Sequence, residues 1–192
     1  MARPKQFDPE TAVDQAMEVF WRQGYAATTP QDLVDALGIG KGSLYNAFGS
    51  KQELFRRALR RYRDSQTAAL VEMLERPGPV KVRLREALTA LAEMDLADPD
   101  RRGCMAVNTT AELAGVDGEA TELVRRMLDL TEDAFRGLVE EGQRAGEIAP
   151  GRDSAALGSL LMNTVVGMRL VARVTEDAGR LDRVVDATID SL

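Results

Sequence analysis

Apolar residues recur at intervals of three and four along most of this chain, and the pattern predicts helices and no sheet. Thr29 caps a helix that opens on Pro30 and carries Asp32 in its first turn, where the helix dipole favours an anion. Leu33, Val34 and Leu37 form its inner face. Gly38 ends it, Ile39 fills the angle, and Lys41 opens a second short helix with Leu44 and Phe48 on its buried side. A long helix is predicted from Ser50 to about Arg76, with Glu53 completing a capping box, and Pro77-Gly78-Pro79 ends it. Val80, Leu84, Leu88, Leu91 and the Met94/Asp95 turn mark the next helix, to Ala97, stopped by Asp98-Pro99-Asp100. A shorter helix follows over Gly103 to Ala114. Glu119 to Ala145 carries Leu123, Met127, Leu130, Ala134 and Leu138 as its inner stripe, with Gly146 as its stop. Asp153 or Ser154 caps a helix to about Val174, and Leu181 to Leu192 makes the last.

The two short helices and the glycine turn between them describe a helix-turn-helix. The outer face of the second carries Lys41, Ser43, Tyr45 and Asn46. A cation and hydroxyls suit phosphate oxygens, and an amide can reach a phosphate or a base edge. The stretch AMEVFWRQGYAATTPQDLVDALGIGKGSLYNAFGSKQELF resembles the N-terminal DNA-binding domain of TetR-family transcriptional regulators. The likeness runs from a first helix ending at Gly24-Tyr25, through Thr28-Thr29, Gly38-Ile39 and Lys-Gly-Ser-Leu-Tyr, to the Phe48-x-Ser50-Lys51 entry of a fourth helix. Two positions depart from the family pattern. Gly40 stands where Ser or Thr is common and removes a side-chain cap, and Asn46 stands where His is common, which bears on base preference.

The resemblance implies an all-α fold: a three-helix DNA-binding domain over residues 1–52 and a helical ligand-binding and dimerisation domain over 53–192. It assigns Thr29, Lys41, Gly42, Ser43, Tyr45, Asn46 and Lys51 to double-stranded operator DNA, with Tyr45 and Lys51 on phosphates. It also implies a homodimer built on the last two helices. The helix from Ala155 to Val174 is apolar nearly all round and needs cover on two sides. Leu157, Leu160, Leu161 and Val165, with Leu181, Val184, Val185 and Thr188 on the final helix, are assigned to that interface. A small-molecule effector would lie in the middle of the chain, where Met94, Met105, Met127 and Met162 supply flexible wall and Asn108 and Asn163 orienting polar groups. Cys104 joins this set. The Gly-Cys-x-x-x-Asn pattern around it resembles a branch of the family in which cysteine senses electrophiles or oxidants, and Arg101 and Arg102 stand alongside. A packed, unreactive thiol is the other reading, and the one preferred, since no second cysteine is present to resolve an oxidised one.

Composition narrows the classes further. No histidine is present, which removes histidine triads and histidine metal sites, and no zinc spacing or phosphate-binding glycine loop appears; no enzyme, cofactor or metal is expected. The competing class is a helical small-molecule-binding protein or enzyme that keeps the helix-turn-helix as structure. The N-terminus lacks the apolar run of a signal peptide, and Asn163, Arg169 and Arg173 interrupt the longest apolar stretch, so a cytoplasmic protein without a membrane span is expected. The net charge of −6 is uneven: residues 1–63 carry ten Lys/Arg against seven Asp/Glu, the remainder fifteen against twenty-four. A basic module on an acidic body suits local DNA binding. Arg56, Arg57, Arg60, Arg61 and Arg63 are expected mainly as a solvated helix face.

Overall fold

The computed structural model describes residues 7–192, and every regular element among them is an α-helix. The first three are α1 (Pro9–Gln23), α2 (Pro30–Leu37) and α3 (Lys41–Phe48). Their ends are fixed by local chemistry. The Asp8 carboxylate accepts from the amides of Glu10 and Thr11 at the start of α1. Thr29 and Asp32 form a reciprocal capping box at the start of α2. Gly38 ends α2 with φ 61°, a left-handed conformation that costs any other residue a steric clash with its Cβ. Gly40 precedes α3 and, as expected, supplies no side-chain cap. Ala16, Phe20, Leu33, Leu44 and Phe48 point inward to meet Leu54 and Phe55 of the next helix. Burying each Leu or Phe stabilises this small unit by roughly 1.5–3 kcal/mol.

The remaining helices are α4 (Lys51–Leu74), α5 (Val80–Ala97), α6 (Met105–Leu113), α7 (Gly118–Ala145), α8 (Ser154–Ala172) and α9 (Ala178–Asp190). The hydrophobic interior does not divide at residue 52. One core joins α1–α3 to the first half of α4, to α6 and to the start of α7. A second joins the end of α4 to α5, the rest of α7, α8 and α9. α4 therefore runs as a single rod between the two.

Three local expectations change. Ser50 accepts from the Glu53 amide at 3.0 Å, but Glu53 turns its carboxylate to Arg57 and Arg60, leaving half a capping box. Leu130 is exposed, because the buried stripe of α7 passes from Met127 to Phe135, Leu138 and Val139. α6 starts two residues later than expected. Gly103 adopts φ 62°, and a Cβ there would lie 2.9 Å from the Arg173 side chain and 3.2 Å from the Arg169 carbonyl oxygen. α8 is the one helix among the described residues long and apolar enough to cross a membrane, by length and composition, and here it packs against α5, α7 and α9.

Candidate nucleic-acid interface and buried cavity

α3 stands on the surface with Leu44 and Phe48 holding it down and Lys41, Gly42, Ser43, Tyr45 and Asn46 exposed. None of the four side chains among them makes a hydrogen bond or ion pair with another described residue. The first-turn amides of α3 have no side-chain cap, so they and the Lys41 ammonium are open to a phosphate oxygen. The two remaining residues of the expected set are placed differently. Thr29 spends its hydroxyl on the capping box, donating to Asp32 at 2.7 Å and accepting from the Asp32 amide at 3.2 Å. Lys51 turns back into the protein. Its Nζ donates to the carbonyls of Tyr25 and Thr28 at 2.9 and 2.8 Å and lies 4.2 Å from the centre of the Tyr25 ring. Two of its three donors thus hold the α1–α2 turn against α4. Lys51→Ala is expected to destabilise this unit by about 1–3 kcal/mol, seen as a lower Tm without DNA.

The arginine row of α4 is neutralised within the chain. Arg56 meets Asp117 and Glu119, Arg60 meets Glu119, Arg61 meets Asp14, and Arg63 meets its neighbour Asp64. These paired charges are poor candidates for a phosphate footprint.

A cavity of about 50 Å³ lies between α4, α5, α6, α7 and α8. Cys104, Met127 and Met162 of the expected ligand set line it, beside Leu91, Val107, Leu128, Val165 and Val166. The other four lie elsewhere. Met105 packs into the core behind the wall, its amide donating to the Tyr62 hydroxyl at 3.2 Å. Asn108 sits on an adjoining surface groove and bridges the Arg102 carbonyl to Arg173 at 2.9 and 2.7 Å. Met94 is 54% exposed, because its neighbour Asp95 takes the inward direction on α5. Asn163 is exposed and donates to the Ser159 carbonyl, on the side of α8 facing away from the cavity.

The polar groups of the wall are Gln66, Thr131, Cys104 and Arg169. Arg169 was not among the expected site residues. It forms a two-point ion pair with Asp95, both distances 2.9 Å, with side-chain exposures of 7% and 6%. Sequence carried one signal for it: a guanidinium in a helix otherwise apolar on every side requires a buried partner. Arg101 and Arg102, which flank Cys104 in sequence, engage their guanidinium groups with other partners. Arg101 donates to the carbonyls of Ala172 and Thr175, and Arg102 pairs with Asp98 and Glu18.

Comparison with known proteins agrees with this geometry. Residues 12–58 match the family model described as bacterial regulatory proteins, tetR family, and residues 91–188 match the tetracyclin repressor-like C-terminal domain. An uncharacterized HTH-type transcriptional regulator of Bacillus subtilis, YezE, is 35% identical over 197 residues, covering 100% of both chains. The chain belongs to the TetR family. The HTH-type transcriptional repressor ComR of Escherichia coli is 30% identical over 188 residues, covering 97% of this chain and 90% of its own. Among solved structures, a cysteine-substituted TetR-family regulator CifR bound to a 26-base-pair operator superposes with a TM-score of 0.84 at 27% identity, over 99% of each chain. The chain is thus a TetR-family DNA-binding transcriptional regulator with an all-α fold.

In this TetR-family chain the Ala26 amide donates to the Glu112 carboxylate of α6 at 3.0 Å, and two further clusters tie the DNA-binding unit to the body. The segment between α5 and α6 is one. Asp100 pairs with Arg22, Arg102 lies 4.1 Å from the Trp21 ring, and the Gly103 carbonyl accepts from the Trp21 indole at 2.9 Å. The start of α7 is the other. Asp117 caps α7 by accepting from the amides of Glu119 and Ala120, and it also accepts from Gln52 and Arg56 of α4. Burial works to raise its carboxyl pKa, but the Arg56 and Gln52 hydrogen bonds and the Ala120 amide outweigh it and hold the group at about 2, from an ordinary 3.8. The folded value is the lower one. The stabilisation, about 2 kcal/mol, is therefore complete above pH ~4 and lost as pH falls through ~2. Asp117→Asn is expected to cost about that much at neutral pH and nearly nothing below pH ~2, measured by denaturant unfolding across pH.

The residues expected at a dimer interface divide. Leu157, Leu161, Leu181, Val185 and Thr188 are buried in the protomer's own core, and Val165 lines the cavity. Leu160 and Val184 stay outside, 44% and 39% exposed. Ala156, Leu160, Asn163, Gly167 and Leu170 form one uncovered stripe along α8, and Val184 and Ala187 on α9, with Ser191 at its C-terminal cap, lie exposed. α8 is apolar nearly all round and gives no direction to its inward face, so sequence had no means of separating Leu160 from Leu157 and Leu161.

Proposed function

We propose that this chain acts in the cytoplasm as a homodimeric repressor, and that a small molecule bound in the cavity releases it from its operator. The observation carrying the reading is the unpaired face of α3, with Lys41, Ser43, Tyr45 and Asn46 exposed on a helix whose own base is buried. ComR, named as a repressor, and CifR, seen on operator DNA, support it. The uncovered stripe of α8 and the exposed residues of α9 form the twofold contact, which places two α3 helices on successive major grooves. The apolar cavity supplies the effector site. An effector that binds the released arrangement better than the DNA-bound one shifts the population by that difference alone.

Selection from a random duplex library by the purified full chain tests this. The expected product is a palindrome with half-sites separated by about 10 base pairs or a multiple of it. Enrichment of no sequence would overturn the reading. On the selected site, Lys41→Ala is expected to weaken binding to all sequences and to reduce the slope of log K against log salt by about 0.9, one phosphate contact. Tyr45→Ala is expected to weaken binding with the fold intact, and Asn46→Ala to alter base preference. A salt slope unchanged in Lys41→Ala would remove Lys41 from the interface.

A further inference from the structure

Arg169 is the one charged side chain in a wall made mostly of carbon, and its bonding is incomplete. Nε and Nη2 are taken by Asp95, and Nη2 also reaches the Gly103 carbonyl at 3.4 Å. Nη1 makes no hydrogen bond with any described residue. A guanidinium carries five N–H donors and cannot shed its proton, and Nη1, which is not sealed off from a small molecule as a buried orphan would be, is left free to donate. The cavity is the open space beside it.

The charge of that acceptor follows from the pair. Asp95 already neutralises Arg169, so a carboxylate would set a second negative charge next to Asp95 without a second cation. An ammonium would face the guanidinium and lose its own hydration among Leu91, Val107, Met127 and Met162. We propose that the cavity selects a neutral, mainly apolar molecule bearing one hydrogen-bond-accepting oxygen, to which Arg169 Nη1 donates. This rests on the reading of the cavity as the effector site.

Trp21 provides a readout without labels. It is the only tryptophan in the chain, and its indole donates to the same Gly103 carbonyl that Arg169 Nη2 reaches. An occupant that draws Arg169 toward itself changes the indole's surroundings and its emission.

The test uses four compounds of similar size: butyrophenone, n-butylbenzene, 4-phenylbutanoate and 4-phenylbutylammonium. Each is titrated into the DNA-free full chain, followed by calorimetry and Trp21 emission. Butyrophenone is expected to bind tightest, with butylbenzene about tenfold weaker for want of the charge-assisted hydrogen bond, and both ions weaker still. In the double variant Asp95→Leu with Arg169→Met, which replaces the pair by packed carbon, the ketone and the hydrocarbon should bind alike. Val107→Phe narrows the cavity while leaving the pair intact, and it should weaken every compound that binds.

Equal binding of ketone and hydrocarbon by the wild type, or tightest binding of either ion, overturns the inference. So does a ketone preference that survives in the double variant, which would move the acceptor's partner to Gln66 or Thr131. Binding of none of the four overturns it too, and with operator binding measured separately that failure is distinct from a failure to recognise DNA.

Discussion

Leu160→Glu is expected to give a folded protomer that no longer dimerises and binds its operator at least about a hundredfold more weakly. Leu160 is 44% exposed in the protomer, so a charge there meets water and changes protomer stability by no more than about 0.5 kcal/mol. In a twofold contact made of the α8 stripe, the same residue is buried once from each subunit. Two unpaired carboxylates, each costing several kcal/mol, would then lie across the axis from one another. A loss of about 3 kcal/mol in association already corresponds to a factor of more than a hundred. A lone protomer presents one α3 and reaches one half-site. Val184→Glu, on the neighbouring part of α9, should act in the same direction. Sedimentation equilibrium gives the mass, circular dichroism the fold, and a gel shift the affinity. A dimeric Leu160→Glu protein with wild-type operator affinity would show that the subunits meet through some other surface.

The second large effect is the loss of one partner from the buried Asp95–Arg169 pair. Arg169→Met leaves a carboxylate 6% exposed with no counter-charge, and destabilisation by about 3–5 kcal/mol is expected. For a chain of this length that lowers Tm by roughly 6–20 °C. Asp95→Leu alone should cost a similar amount, because it strands the guanidinium. The double variant is expected near wild type, since packed carbon of similar volume often replaces a buried ion pair without loss. Thermal unfolding of the four DNA-free proteins closes the cycle. If the two single losses simply add in the double variant, the residues are not coupled and the 2.9 Å contacts contribute little.

The DNA-binding unit was legible because its signals are local. Thr29 with Asp32, Pro30, Gly38 and the Leu44–Phe48 spacing each act within one or two turns of chain, and the structure keeps every one. The Val80–Ala97 helix and the glycine stop at Gly146 were readable for the same reason. Of the seven ligand residues, Cys104, Met127 and Met162 fell on the cavity, while Met94, Met105, Asn108 and Asn163 did not. Side-chain chemistry marks a residue as suitable for a wall, but its angular position on a packed helix decides whether it faces one.

The sequence by itself determined that this chain folds into capped helices with a helix-turn-helix near its start, because caps, glycine turns and apolar periodicity are written over a few consecutive residues. Tertiary structure alone decided that Lys51 clips a turn instead of standing free for DNA, and that Asp95 meets Arg169. It also decided which apolar residues of α8 remain uncovered. These depend on partners that the chain brings together from 23, 26 and 74 positions away, and on the facing of a helix that is apolar all round. Distance along the chain carries no record of such meetings, since packing and desolvation act only after the helices have docked.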